Sequence, residues 1–144
     1  MKADRRGAKL LVRRESDGKY LLLIGSEWPE RPDRSRKPDL PGGIVEDSEG
    51  IAQGALRELC EETSIVAEPS QLVELTNGTR FIERHNANVQ LVVFMLNLDY
   101  DPEIKLSWEH EAFSWVDADE LANCDIREPF KTILQLYKSS GTIQ

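Results

Sequence analysis

The sequence has few cysteines and no long apolar run, and both shortages exclude whole classes of protein. Cys60 and Cys124 are far apart and share no metal-type spacing, so we expect reduced thiols and no disulfide framework. No apolar stretch approaches the ~20 residues that a membrane-spanning helix requires, and no apolar stretch of a secretory signal follows the first six residues. These absences predict a cytoplasmic protein that binds no membrane.

An excess of positive charge is also missing. The chain has 18 basic and 26 acidic side chains, which give a net charge of −8 and argue against a protein that binds nucleic-acid backbones. An acidic protein can still act on an anionic substrate if local arginines or bound cations attract it. The 144 residues, 40% of them apolar, suffice for one core, and we expect one domain over residues 1–144.

The apolar periodicity predicts strands interleaved with helices. Strand-like runs at 8–12 and 20–24 flank turn residues and should pair as an antiparallel hairpin, while four prolines between 25 and 41 indicate a surface loop. A helix is expected over 48–63 with Ser48 as its N-cap. Further strands are predicted at 72–75, 79–82, 89–98 and 112–116, and further helices at 117–123 and 128–138. This order favours an α+β architecture, a mixed sheet covered by helices.

The helix predicted over 48–63 has an acidic face. At ~100° per residue, Glu58, Glu61 and Glu62 fall within one narrow sector, and only Arg57 lies among them as a cation. A solvated helix face explains this pattern as well as a function does. A magnesium site explains it too, since Mg²⁺ binds through a few carboxylates. Cys60 falls on the apolar side of the wheel and is expected to pack inward.

A tight bend precedes this helix. In Leu40-Pro41-Gly42-Gly43 the proline fixes one dihedral angle, and the two glycines permit backbone angles that a Cβ atom would block. Such a bend exposes backbone N–H groups to a phosphate, although the same sequence alone is also an ordinary turn.

Together these residues resemble a known family. Gly43, Glu49, Arg57-Glu58-Leu59, Glu61-Glu62 and Ser64-Ile65 have the spacing of the Nudix box, with Ser64 where the family has glycine. The resemblance implies the Nudix fold, an α/β/α sandwich with a mixed sheet. The family glycine ends the helix, where a left-handed residue is common, so we expect Ser64 to reduce stability without abolishing activity.

The resemblance also implies a chemistry. Nudix proteins hydrolyse a nucleoside diphosphate linked to another group, with Mg²⁺ or Mn²⁺ as cofactor. The expected metal ligands are Glu58, Glu61 and Glu62, and Arg57 would orient a glutamate by a salt bridge. Gly42, Gly43 and Glu49 would shape the loop before the helix, where the substrate and its cations bind. Family members are often dimers, so a homodimer is possible.

Further candidates lie outside the box. Glu109 resembles a further family glutamate, a metal ligand or general base. Glu111 is the alternative, because residues 109 and 111 would point to the same side of a strand. Two solvated loop acids without a function would give the same sequence pattern. His110 is interpreted as a bystander and Trp115 as a core residue. Residues that could contact a base or phosphates are Trp28, Arg5, Arg6, Arg80 and Arg84.

Three functions remain in competition. The first is a metal-dependent pyrophosphohydrolase. Family markers for ADP-ribose and for one dinucleoside polyphosphate class would fall around residues 80–82 and are missing, which leaves a nucleoside triphosphate or a nucleotide sugar as substrate. The second is a nucleotide-sensing module without turnover, which the intact box disfavours. The third, an isoprenyl diphosphate isomerase, would need a reactive cysteine or more histidines than the two present.

Overall fold

A hairpin opens the chain, as the sequence predicts. The computed structural model describes residues 2–144, so Met1 of the predicted domain lies outside it. Strand β1 (Arg5–Arg14) and strand β2 (Lys19–Gly25) pair antiparallel around a turn in which Gly18 has a φ of 70°. That left-handed angle suits glycine, and the turn residues after β1 therefore set the hairpin register.

Strand β1 lies at the centre of a seven-stranded mixed sheet. It pairs in parallel with β6 (Ala87–Leu98) over its whole length and antiparallel with β4 (Gly42–Val45) near its start. Strand β2 also pairs with β3 (Pro38–Asp39) and β7 (His110–Val116), and β5 (Leu72–Ile82) pairs with β6. The proline-rich loop thus includes a two-residue edge strand, a position where a sheet tolerates proline.

Strand β5 merges two runs that the sequence separates. The polar residues between 75 and 79 remain paired with β6, and the irregularity is a bulge between Glu74 and Thr76. Ladder pairing with the buried β6 strand outweighs the weak strand propensity of Asn77 and Gly78.

Three helices cover the sheet. Helix α1 (Ile51–Thr63) begins after Gly50, so the prediction of Ser48 as N-cap is wrong. The Gly50 N–H donates to Gln53 Oε1, and an extended backbone at Gly50 directs the chain into the helix. Helix α2 (Ala118–Asn123) agrees with the helix predicted at 117–123 and is capped by Asp117, whose carboxylate accepts the Glu120 N–H. Helix α3 is Phe130–Ser140.

The two faces of the sheet bury separate apolar cores. Along β1, Leu10 and Val12 point to the side that α1 covers, while Leu11 points to the side of α2 and α3. Alternation along a strand places successive side chains on opposite faces, so the strands at the sheet centre are apolar on both. This confirms the expected sandwich of a mixed sheet between helices.

Two expectations about packing need correction. Cys60 is exposed, because it lies about 100° around helix α1 from the fully buried Leu59. Trp115 is only partly buried against the core under α1, and the Arg14 guanidinium lies 4.4 Å from the centroid of its ring. Among residues 2–144, no helix has the length and apolarity needed to cross a membrane.

Candidate active site

A cavity of about 230 Å³ opens beside the N-terminal half of β1, and charged groups dominate its lining. Its carboxyl groups are those of Asp39, Glu58, Glu62 and Glu109. Its basic side chains are those of Lys9, Arg31, Arg34, Arg84 and Arg127. Although the whole chain is acidic, basic side chains are concentrated in this cavity. They provide the local attraction that an anionic substrate requires.

The Gly42-Gly43 bend connects the cavity to helix α1. Gly42 has a φ of 127°, and a Cβ atom there would lie 2.1 Å from the Ala8 carbonyl oxygen. Its N–H donates a 2.7 Å hydrogen bond to Glu62 Oε1. At Gly43 a Cβ atom would lie 3.1 Å from the carboxyl carbon of Glu58. Gly42 is required because its backbone passes against β1, and Gly43 leaves room for the Glu58 carboxyl group.

Glu62 is buried, with 3% of its surface exposed, so this carboxyl group does not belong to a solvated helix face. Desolvation raises the pKa of Glu62 to about 8, and burial lowers the pKa of His110 to about 4. The His110 Nε2 atom lies 3.9 Å from Glu62 Oε2. At pH 7 both side chains are neutral, so this contact is not an ion pair.

The other two glutamates of helix α1 differ in environment. Glu58 lines the cavity, and desolvation raises its pKa although Arg57 opposes the shift. Glu61 has a side chain that is 54% exposed and pairs with Arg57 at 3.2 Å. Within residues 2–144, Glu58 and Glu62 therefore line the cavity, whereas Glu61 does not.

Arg57 connects the loop before α1 to the acidic side of that helix. Its Nε and Nη2 atoms donate to the Glu49 carboxylate at distances down to 2.7 Å, and its Nη1 donates to Glu58 at 3.2 Å. Hydrogen bonding by Arg57 lowers the pKa of Glu49 to about 2. Arg57 thus joins Glu49 of the loop to Glu58 of the helix through charge-assisted hydrogen bonds.

Lys9 is a functional candidate that sequence reasoning missed. The side chain is buried, and its ammonium group donates to the Leu40 and Gly42 carbonyls and pairs with Asp39 at 3.1 Å. Burial opposes ionisation of Asp39, but Lys9 and Arg127 outweigh it, so the pKa of Asp39 is lowered. The available signal was a single charged residue inside an apolar run, since such a residue needs a buried partner.

Glu109 and Glu111, which strand parity leaves equivalent, occupy different places. Glu109 lines the cavity and lies 3.9 Å from the guanidinium of Arg34. Glu111 is 43% exposed at its side chain and pairs with Arg36 at 3.4 Å. His110, interpreted as a bystander, is buried in the cavity lining, and its Nδ1 atom has no hydrogen-bond partner among residues 2–144.

The carboxylates of the cavity are chemically suited to a hard divalent cation, but they are not close enough together to form a complete metal site. Glu58, Glu62 and Glu109 supply carboxylate oxygens to one cavity, and Mg²⁺ prefers such oxygens with waters and phosphates completing its shell. In the described chain, no three His, Cys, Asp or Glu side chains are grouped closely enough to hold an ion. A cation here would thus depend on substrate oxygens or on small movements of these side chains.

The predicted substrate contacts have varied positions. Trp28 packs against Trp108 with ring centroids 5.4 Å apart, and the Arg34 guanidinium lies 4.7 Å from its ring centroid. Arg6 is occupied by the carbonyls of Glu46 and Glu49. Arg5 lies outside the cavity in a neighbouring depression, Arg80 lines an open surface that adjoins the cavity, and Arg84 lines the cavity itself.

Sequence reasoning missed three arginines of the cavity. Arg31 and Arg34 lie in the proline-rich loop, and Arg127 lies between α2 and α3. These residues are far apart in the sequence and come together only through the folded sheet. No local sequence pattern therefore predicts that they line one cavity.

Comparison with known proteins gives a family and several relatives. The family model described as NUDIX domain matches residues 4–136. The chain is 37% identical over 98 residues to the asymmetrical bis(5'-nucleosyl)-tetraphosphatase of Rattus norvegicus, an alignment that covers 66% of this chain. It spans about 65% of the length of that curated relative.

Solved structures of other proteins have a similar fold. The MutT protein from Methanosarcina mazei Go1 is similar with a TM-score of 0.74 and 28% identity, over 95% of this chain and 94% of that one. An Ap4A hydrolase binary complex from C. elegans has a TM-score of 0.69 and 24% identity, over 94% of this chain and 98% of that one, and supports the fold alone.

Proposed function

The chain belongs to the NUDIX domain family, and on that premise we propose that it hydrolyses a pyrophosphate bond in a nucleoside diphosphate linked to another group. One observation carries the proposal. Glu58 and Glu62 of α1 and Glu109 of a distant segment line the same cavity as five basic side chains. Carboxylates that hold cations and arginines that bind phosphate are the two parts that such a reaction needs.

The cofactor in this proposal is Mg²⁺ or Mn²⁺, held by Glu58 and Glu62, with Glu61 joining if it leaves Arg57. When bound, the cation neutralises charge on the phosphates and makes an attacking water more acidic. The chemistry of the carboxylates supports this assignment. Because Glu62 is protonated at neutral pH without a cation, it must lose its proton when it becomes a ligand.

The chain's own residues would perform the remaining tasks. Arg57 holds Glu49 and Glu58, which fixes the bend beside the helix. Glu109 accepts the proton of the attacking water as general base, since it lines the cavity and Glu111 pairs with Arg36 outside it. Water oxygen then bonds to phosphorus, the bridging P–O bond breaks, and two phosphorylated or phosphate products leave.

The substrate remains a proposal at the level of class. Missing family markers favour a nucleoside triphosphate or a nucleotide sugar, whereas the name of the rat relative adds bis(5'-nucleosyl) tetraphosphates. A panel of these three classes plus ADP-ribose, with Mg²⁺ and with EDTA, tests the proposal. Product analysis in oxygen-18 water then identifies the phosphorus that water attacks.

Paired variants make the test specific. We expect Glu58→Gln and Glu109→Gln to reduce kcat about 100-fold, because each removes a carboxylate from the cavity, and Glu111→Gln to stay near wild type. Equal rates for Glu109→Gln and Glu111→Gln would remove Glu109 from the mechanism. Absence of hydrolysis on every substrate, with tight nucleotide binding retained, would instead favour the sensing module.

A further inference from the structure

Arginines are concentrated on one side of the cavity. An open depression adjoins it and shares Arg31, Arg34, Arg84 and His85 with its lining. With Arg5 in the depression and Arg127 in the cavity, five of the eleven arginines in the sequence lie in this small region. This end of the site contains none of the glutamates of helix α1.

The charge of these arginines is incompletely balanced. Among residues 2–144, Asp33 is the one acidic residue that lines the depression. Its carboxylate oxygens lie 3.6 Å from Arg31 Nε and 3.6 Å from Arg127 Nη1. Contacts of that length exceed a charge-assisted hydrogen bond, so neither guanidinium is tightly held. One acid therefore serves two cations in a protein whose surface is otherwise rich in acids.

Arg84 and Arg127 have donors to spare. Arg84 donates to the neutral Glu128 carbonyl at 2.7 Å, and desolvation followed by repulsion from Arg127 lowers its pKa. The Nε atom of Arg127 is buried and has no hydrogen-bond partner in the described chain. A buried donor without an acceptor is unfavourable, and an anion between these two guanidinium groups would satisfy both.

We propose, building on the proposed function, that this depression, together with the adjoining Arg127 side of the cavity, binds the phosphate groups of the substrate that lie beyond the phosphorus attacked by water. Guanidinium groups bind phosphate oxygens in pairs and keep their charge at every physiological pH. The preferred substrates are then nucleotides with three or more consecutive phosphates. Nucleotide sugars, whose distal group is neutral, leave the depression without a ligand.

Direct binding of inorganic tripolyphosphate tests this site without relying on turnover. Calorimetric titration in EDTA compares wild type with Arg84→Gln, Arg127→Gln and the more exposed Arg31→Gln. The matched control is Arg36→Gln, which removes the same charge from a nearby side chain that is 63% exposed and pairs with Glu27. We expect about 10-fold weaker binding for each of the three variants and an unchanged Kd for the control.

The outcomes separate the two proposals. If wild type fails to bind tripolyphosphate, or if the control loses as much affinity as Arg84→Gln, the arginine site is wrong. Circular dichroism verifies folding, and Arg31→Gln decides the matter if Arg127→Gln is unfolded. Tripolyphosphate binding without hydrolysis of any nucleotide would overturn the proposed function but keep this site.

Kinetics provide an independent readout of the same inference. In Arg84→Gln, KM for a nucleoside triphosphate should rise about 10-fold, while KM for a nucleotide sugar should stay close to wild type. An equal rise for both substrates would show that Arg84 does not discriminate by phosphate number.

Discussion

The Gly42 N–H donates a 2.7 Å hydrogen bond to the buried carboxyl of Glu62, joining the bend before helix α1 to the end of that helix. This hydrogen bond connects two elements of the fold as well as two residues of the site. Glu62 lies on the same face of the helix as Ala55 and Leu59, both fully buried. Its carboxyl group is therefore held by packing, and the protein retains a titratable group in a place where an apolar side chain would be usual.

Glu62→Gln should change how stability depends on pH. The pKa of Glu62 is raised from 4.5 to about 8, so the folded state keeps a proton that the unfolded state has released, and stability falls as pH rises toward 8. The slope is about 1.4 kcal/mol per pH unit at its steepest, and glutamine removes it while still accepting the Gly42 N–H. Urea unfolding in EDTA at pH 6.5, 7.2 and 8.0 measures the difference, and parallel slopes would contradict it.

Glu49→Gln should sensitise the protein to acid. Arg57 lowers the pKa of Glu49 from 4.5 to about 2, so this carboxylate contributes stability above the unfolded value that disappears as pH falls toward 2. The variant lacks that contribution at neutral pH and should unfold at a higher pH during acid titration. Tryptophan fluorescence follows the transition. Glu61→Gln, which alters an exposed partner of the same arginine, is the control and should shift it less.

Alanine at the two glycines of the bend should have different effects. A Cβ atom at Gly42 would overlap the Ala8 carbonyl, so Gly42→Ala should prevent normal folding. Gly43→Ala should fold, because the neighbour is the end of the Glu58 side chain, but the displaced carboxyl should lower kcat at least 10-fold. Thermal unfolding and steady-state kinetics separate the two outcomes, and a fully active Gly43→Ala would refute the second.

Ser64→Gly should stabilise the protein. Ser64 ends helix α1 with a φ of 68° and a ψ of 10°, which is the left-handed conformation expected there. Glycine adopts it without the Cβ penalty, and the gain should be about 1 kcal/mol, reduced slightly by loss of the 3.3 Å hydrogen bond to the Lys105 carbonyl. Ser64→Ala loses that bond and keeps the strain, so its Tm should not increase.

Local patterns predicted the elements well, because hairpin turns, caps and helical periodicity depend on neighbouring residues. The opening hairpin and the helix at 117–123 were expected and are present, and Ser64 has the left-handed conformation that the family resemblance implies. The errors have physical causes. Ser48 satisfied the propensity rules for an N-cap, but the chain enters the helix at Gly50.

The candidate site was predicted in part. Spacing placed Glu58 and Glu62 on one sector of helix α1, but a helical wheel cannot tell which edge of that sector the sheet covers, and Glu62 is the buried one. Strand parity could not separate Glu109 from Glu111, because the distinction comes from where the cavity opens. The roles of these acids as metal ligands and base stay predictions.

The parallel pairing of β1 with β6 also governs how the molecule is made. Arg5 pairs with Val89, so the centre of the sheet forms only after a long stretch of intervening chain has been synthesised. Helix α1 leaves the ribosome before strand β6 exists, although the bend at Gly42, whose N–H binds Glu62, has already been made. Long-range contacts of this kind slow folding. A nascent chain stopped before β6 would therefore hold the whole sequence motif and still lack the cavity.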